Sequence, residues 1–232
     1  MNKLVIVLVL LMAGTAVAGP IFDVQTGAYT VGDEVTISGA VVTGVRYNGC
    51  FISEDPTGPY TGVWVYVGSG NLDPMITAGT VVDVKGLYEE YYDFTEINVT
   101  TDATGYCTYM GDFGGTLVPT SVTVAQLNAD PEAFEGCFIA VLGLMIVTDN
   151  DLGYGEWEAE VMDDPGQFIY FDDYWYDPVD VMIGDCFCCA VGVVYYSFGV
   201  YKLEPFDGSI CFMGCPVANE ELTFGDVKAL YR

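Results

Sequence analysis

The chain is predicted to be all-β, with two consecutive five-stranded barrels of one kind followed by a short C-terminal tail. Three observations predict it. Short runs rich in Val, Ile, Tyr and Phe alternate with Gly, Pro and Asp turns along most of the chain. The runs recur, because landmarks of the first half reappear about 104 to 106 residues later. The leading run of each half is long and carries a mid-strand glycine, Gly39 or Gly143, as a strand does where it bends between two sheets.

Residues 1–18 read as a signal peptide: Lys3, the apolar run Leu4 to Met12, then Ala16-Val17-Ala18 as cleavage site. The run is too short to span a bilayer comfortably. The mature chain is therefore expected to start at Gly19, to be secreted to the extracellular space or cell surface, and to have no membrane insertion. The first barrel is placed at 19–110, with strands near 33–45, 49–54, 61–67, 80–91 and 94–99. A linker at 111–120 is marked by Gly111, Gly114 and Gly115. The second barrel, 121–210, starts with a short helix from about Val124. Its strands fall near 137–148, 155–162, 167–172, 185–197 and 199–204. Residues 211–232 are the tail, in which Glu220 and Glu221 precede Lys228 and Arg232, the order a helix dipole favours.

The repeat is clearest late in each half. Gly79 to Gly86 matches Gly184 to Gly192, and each is followed by an aromatic turn, Tyr91-Tyr92-Asp93-Phe94 or Tyr195-Tyr196-Ser197-Phe198. After the third strand, where a five-stranded Greek-key barrel normally carries a helix, the connection is short and contains proline. Five strands in this order suggest the OB-fold. Specific residues carry a further likeness. In the first half they are Asp23-Val24-Gln25, Gly32 to Gly39, Phe51-Ile52, Gly62 to Tyr66 and Glu96-Ile97; in the second they are Tyr195 to Pro205. Over about 22–100 and 116–210 the chain resembles OB-fold modules of secreted bacterial proteins, the type found beside extracellular nuclease or surface-anchoring domains. The resemblance implies a non-catalytic module. It departs from nucleic-acid-binding OB-folds, whose basic groove is absent.

Charge excludes several functions. The sequence holds 33 acidic residues, six basic ones and no histidine, a net charge of −27. Nucleic-acid affinity comes from Lys and Arg displacing counterions, and Arg46, Lys85, Lys202, Lys228 and Arg232 are too scattered to build a basic patch. Without imidazole, a Ser or Cys nucleophile lacks its usual base. No catalytic and no cofactor-binding residue is assigned.

Eight cysteines in an exported chain read as disulfides: Cys50, Cys107, Cys137, Cys186, Cys188, Cys189, Cys211 and Cys215. Cys50 and Cys107 are the simplest pair, and the neighbours Cys188 and Cys189 are expected to pair elsewhere than with each other. The alternative is a metal site from Cys186-x-Cys188-Cys189 and Cys211-x3-Cys215, although zinc sites usually use well-separated CxxC pairs. Calcium is the candidate ion for hard oxygen ligands in loops, from Asp149, Asp151, Asp163, Asp164, Asp172 and Asp173. Tyr174, Trp175 and Tyr176 form an aromatic loop suited to stacking on a sugar or to a protein partner. Asn98-Val99-Thr100 is a glycosylation sequon.

The leading functional expectation is a secreted, non-enzymatic structural subunit. It would assemble with copies of itself or dock on a cell-surface protein, forming an extracellular filament or coat. The alternative is a soluble extracellular carbohydrate-binding module with polysaccharide as partner. Nucleic acid is not an expected partner.

Overall fold

The structure is a computed structural model that describes residues 19–175 and 181–215. The expected signal peptide at 1–18, Tyr176 and the tail segment 216–232 lie outside the described residues. Short β-branched and aromatic runs become strands, as expected. In the first half these are β1 (Glu34–Arg46), β2 (Gly49–Ser53), β3 (Gly62–Tyr66), β4 (Thr80–Tyr91), β5 (Phe94–Asn98) and β6 (Tyr106–Asp112). In the second they are β7 (Thr120–Thr123), β8 (Phe138–Gly153), β9 (Glu156–Val161), β10 (Phe168–Phe171), β11 (Cys186–Ser197) and β12 (Val200–Met213).

Each half forms one six-stranded sheet, and the two sheets are wired alike. In the first, β1 pairs with β2, β2 with β3, β3 in parallel with β5, β5 with β4, and β4 again with β1. In the second, β8, β9, β10, β12 and β11 repeat that circuit, with β10 and β12 parallel and β11 returning to β8. The mid-strand glycines sit at matching irregularities. Ser38 and Gly39 oppose the single residue Asp83, whose Oδ1 accepts the Gly39 N–H at 2.8 Å. Gly143 and Leu144 likewise oppose Cys188. Both glycines have positive φ, 73° and 144°, which side-chain-bearing residues rarely adopt.

Two strands and a helix were not anticipated. β6 occupies residues expected to lead into the linker, and pairs with β4 over the stretch that β5 leaves uncovered. In the second half β12 does both jobs alone. It pairs with β11 from Ser197↔Val200 to Cys186↔Met213, so the expected tail boundary at 210 falls inside a strand. β7 lies parallel on β8. Helix α1 (Pro20–Gln25) has Pro at its first position, where no N–H is needed, and buries Ile21 and Val24. Helix α2 (Val124–Ala129) starts where expected, through a capping box between Thr123 and Gln126.

Each sheet encloses its own apolar core, one around Val35, Ile52, Val65 and Ile97, the other around Trp157, Phe171, Phe187 and Leu203. Trp157 and Phe171 stack at 3.9 Å. A third cluster bridges the halves, where Phe51, Trp64 and Phe94 meet Val193, Trp175, Tyr195 and Phe206. The chains cross closely at Gly62 and Gly136. A Cβ on Gly62 would overlap the Gly136 carbonyl, and one on Gly136 would lie 3.0 Å from the Gly62 carbonyl carbon. Nearby, Tyr60 N donates to Ala133 O at 2.6 Å and Gln25 Nε2 to Gly62 O at 2.7 Å. Glu135, only 1% exposed, accepts the Thr95 N–H at 2.8 Å.

Burial pushes the Glu135 carboxyl up to about 8, with Glu132 and Glu90 adding repulsion against the opposing Thr95 hydrogen bond. From the ordinary carboxyl range up to about pH 8, the folded chain keeps this proton and the unfolded chain loses it. Its contribution to stability therefore falls as pH rises, by about 1.4 kcal/mol per pH unit. Glu135→Gln retains the Thr95 hydrogen bond and cannot ionise. The variant should match the wild type near pH 5 and exceed it increasingly towards pH 8, as measured by urea unfolding at each pH.

Candidate functional site

Among the described residues three hairpins have two-residue turns with both φ angles positive: Tyr92-Asp93, Tyr154-Gly155 and Phe198-Gly199. This is the turn whose twist matches paired strands, and Asn-Gly is its usual filling. Here the first position is an aromatic each time. Tyr92 is 81% exposed, while Tyr154 and Phe198 are both 98% exposed. A bulky side chain in the left-handed region costs of order 1 kcal/mol, and these rings recover little of it by burial.

Two of the tips form one site. The β4–β5 and β11–β12 turns, which occupy equivalent places in the two halves, line an open cleft of 600 Å³ with Tyr91, Tyr92, Phe94, Tyr195, Tyr196 and Phe198. An adjoining cleft of 390 Å³ shares Tyr91, Phe94 and Tyr195, and runs to the β1–β2 turn at Arg46, Tyr47 and Asn48. Its floor is the outer face of β3 and β5, with Trp64, Tyr66, Glu96 and Asn98, beside Glu89 of β4. The groove thus joins an aromatic end to a polar end.

The polar end offers donors and acceptors of several kinds. Asn98 Nδ2 donates to Glu89 at 3.0 Å and to Glu96 at 3.4 Å, while its Oδ1 accepts from Thr100. These bonds occupy the amide nitrogen that a glycan would modify at the sequon. Burial first, and then Glu89, pushes the Glu96 carboxyl up to about 7, against the opposing Asn98 hydrogen bond. Glu96 is thus both donor and acceptor near neutrality. Asn48 Oδ1 and Arg46 Nε are buried without a hydrogen-bond partner. Such atoms carry an uncompensated desolvation cost.

Behind the groove lies a buried charge network. Lys202, with its side chain 1% exposed, pairs with Glu156, and with Asp172 at 3.4 Å, and donates to Ser197 Oγ at 2.9 Å. It therefore ties the bases of the Tyr154 and Phe198 hairpins together. The Arg46 guanidinium lies against the Tyr174 ring and 5.3 Å from that of Tyr195. Burial lowers it to about 10, while Glu204 pulls the other way. Burial also holds the Glu204 carboxyl well above the usual range. The remaining described cation, Lys85, pairs with Glu34 at 2.9 Å and Asp102 at 3.8 Å. Among the described residues every cation is thus held by neighbours in its own chain.

The sequence-predicted residues fall elsewhere. Trp175 joins the two sheets: its Nε1 donates to Val45 O at 2.8 Å, and its ring packs against Gly44 and Phe206. Tyr174 stacks on Arg46 in the same joint. The candidate calcium ligands separate. Asp149 and Asp151 accept backbone N–H groups within the β8–β9 hairpin, Asp163 and Asp164 lie exposed in the β9–β10 turn, Asp172 is paired with Lys202, and Asp173 is exposed beside it. Among the described residues no three of these carboxylates converge within 4.8 Å.

The cysteines form two disulfides, Cys186–Cys215 and Cys189–Cys211. Cys50 and Cys107, expected to bond, are neighbouring thiols whose hydrogen bond raises Cys50 and lowers Cys107. Cys137 is a buried thiol facing Ala133 O at 3.7 Å, and Cys188 is a thiol too. With Cys186 and Cys215 bonded to each other, the candidate five-cysteine metal set is broken up.

Lys202→Met should cost about 3–5 kcal/mol, because Glu156 and Asp172 lose their buried counter-charge. Chemical unfolding would measure it, and added salt should restore little of the loss. In comparisons with known proteins, the chain matches no family model and no curated protein.

Proposed function

We propose that this is an exported, non-catalytic carbohydrate-binding protein made of two OB-fold barrels, with the aromatic groove as its binding site. The observation that carries the proposal is the set of exposed aromatics at left-handed turn positions, Tyr92 and Phe198 foremost. Folding alone would favour Asn or Gly there. Flat rings held out by rigid hairpins suit stacking on sugar faces, and the Asn48, Glu89, Glu96 and Asn98 end suits sugar hydroxyls.

The pairing circuit β1-β2-β3-β5-β4-β1, with β3 and β5 parallel, supports the OB-fold reading. OB-folds take ligands on the β2–β3 face and at the β1–β2 and β4–β5 loops, where this groove runs. The acidic composition favours a neutral glycan over an anionic one. Two disulfides, with no helix among the described residues long and apolar enough to cross a membrane, are compatible with export.

Tyr92→Asn and Phe198→Asn separate binding from folding. Each should leave the melting temperature unchanged or raise it, because Asn tolerates the turn. Each should also weaken binding to a neutral oligosaccharide by about 3- to 10-fold in calorimetry. Wild-type protein that binds no neutral glycan on an array, or variants that bind equally well, would overturn the reading.

A second reading rests on β6. Among the described residues it pairs only with β4, and it presents Tyr106, Thr108, Met110 and Asp112 to solvent. A free edge can accept a strand from another copy, as a filament or coat subunit requires. Repulsion between acidic copies means that assembly should need salt. Regular fibres in negative-stain electron microscopy at high salt, abolished by Met110→Lys, are the expected outcome for this reading; discrete particles under all conditions exclude it.

A further inference from the structure

The second sheet contains three sulfurs in an arrangement that ordinary strand pairing does not produce. In a regular strand Cys188 and Cys189 would point to opposite faces, and only one would reach a given partner. The β11–β12 register breaks at this point. Phe187 pairs with Phe212 and Ala190 with Ile210, so Cys188 and Cys189 both oppose the single residue Cys211. Cys188 and Cys189 are both buried, at 7% and 0% exposed. The Sγ atoms of all three lie within 4.8 Å of one another. On its other edge β11 faces the Gly143–Leu144 irregularity of β8, which also falls at Cys188.

We propose that Cys188, Cys189 and Cys211 form an intramolecular thiol–disulfide exchange centre, in which Cys211 bonds alternately to Cys189 and to Cys188. The Cys188 thiol ionises, and its thiolate attacks Cys211 Sγ. The Cys188–Cys211 bond forms as the Cys189–Cys211 bond breaks. Cys189 leaves as a thiolate and takes up a proton, so a thiol and a disulfide are present before and after. No oxidant or reductant is consumed. Attack on Cys189 instead would join adjacent residues, a strained ring, which directs the reaction to Cys211. Cys186–Cys215 ties β11 to the segment just past β12 and keeps the two strands together while the inner bond changes partner.

Exchange rate follows thiolate fraction. Burial raises the Cys188 thiol, so exchange is slow at neutral pH and accelerates as pH rises.

The test uses the whole folded protein. Wild-type protein is held at pH 9, quenched in acid to stop exchange, unfolded, and alkylated with N-ethylmaleimide under acidic conditions. Fragmentation spectra of the 186–189 region then locate the label. Label on Cys188 in some molecules and on Cys189 in others is expected; label on Cys188 alone overturns the proposal. A second arm uses variants. Cys211 should stay protected from alkylation in both Cys188→Ser and Cys189→Ser, and become fully reactive only in the double variant. Reactive Cys211 in a folded Cys189→Ser protein means a single fixed pairing and also overturns it. The wild-type arm stands even where a variant fails to fold.

Discussion

The crossing of Gly62 over Gly136 is the contact on which the rest of the molecule depends. Each half closes its own strand circuit, so the halves share no sheet and must meet by packing. Backbone approaches side-chain-free backbone at the crossing, which brings β3 and β5 of the first half under β11 of the second. Phe51, Trp64 and Phe94 are then covered by Val193 and Tyr195, and Glu135 is carried into the joint beside Thr95. The same approach sets two equivalent hairpin turns side by side. Neither half lines the groove alone: Tyr91, Tyr92 and Phe94 come from one, and Tyr195, Tyr196 and Phe198 from the other. A side chain at Gly62 would therefore disturb the aromatic groove before any residue lining it was changed.

Charge is arranged on the same plan. Arg46, Lys85 and Lys202 are scarce against 33 acids, and each is held by carboxylates or aromatic rings of its own chain. Arg46 of the first half lies against Tyr174 and Tyr195 of the second, near Glu204 and Asp172, and Asp172 in turn pairs with Lys202. Buried ion pairs contribute little net stability over apolar substitutes, but breaking one by removing a single partner is costly. The network thus fixes which arrangement of halves is tolerated more than it strengthens the joint. Its second consequence lies outside, where the acids meet no free cation among the described residues. That is why the ligand proposed for the groove is neutral rather than a phosphate backbone.

Most of the strands were legible because each half repeats one pattern of β-branched runs and turn residues. The bends at Gly39 and Gly143 were legible from glycine position alone. β6 was not, because Tyr106 to Asp112 is exposed on alternate residues, and its glycine and acid look like the start of a linker. β12 was cut short for a similar reason: Gly208, with φ 71°, reads as a stop but is a bend within the strand. At the site, the two aromatic turns were visible as a repeat, yet their importance was not. Periodicity does not reveal that Tyr92, Tyr154 and Phe198 occupy left-handed positions. An aromatic directly ahead of Gly or Asp at the centre of a hairpin is the signal that would have found them. Trp175 misled for the converse reason, since an aromatic loop that docks on its own chain has the composition of one that docks on a partner.

Cysteine placement follows from what the added edges lack. In the first half β5 and β6 divide the edge of β4, and in the second β12 alone covers β11. The extra stretch in each half pairs on one side only and reaches the core through few residues, Cys107 and Tyr109 in the first half and Ile210 in the second. Sulfur concentrates there: Cys107 on β6 beside Cys50, and Cys211 and Cys215 at the end of β12, bonded to β11. Loops of 22 and 29 residues closed by such bonds gain about 3–4 kcal/mol each from the lost freedom of the unfolded chain. That is enough to hold a strand end that packing would leave frayed. A bulge that gives Cys211 two possible partners does not forfeit this gain, because either bond closes nearly the same loop. The constraint on the unfolded chain is conserved while the bond itself is free to move by one residue.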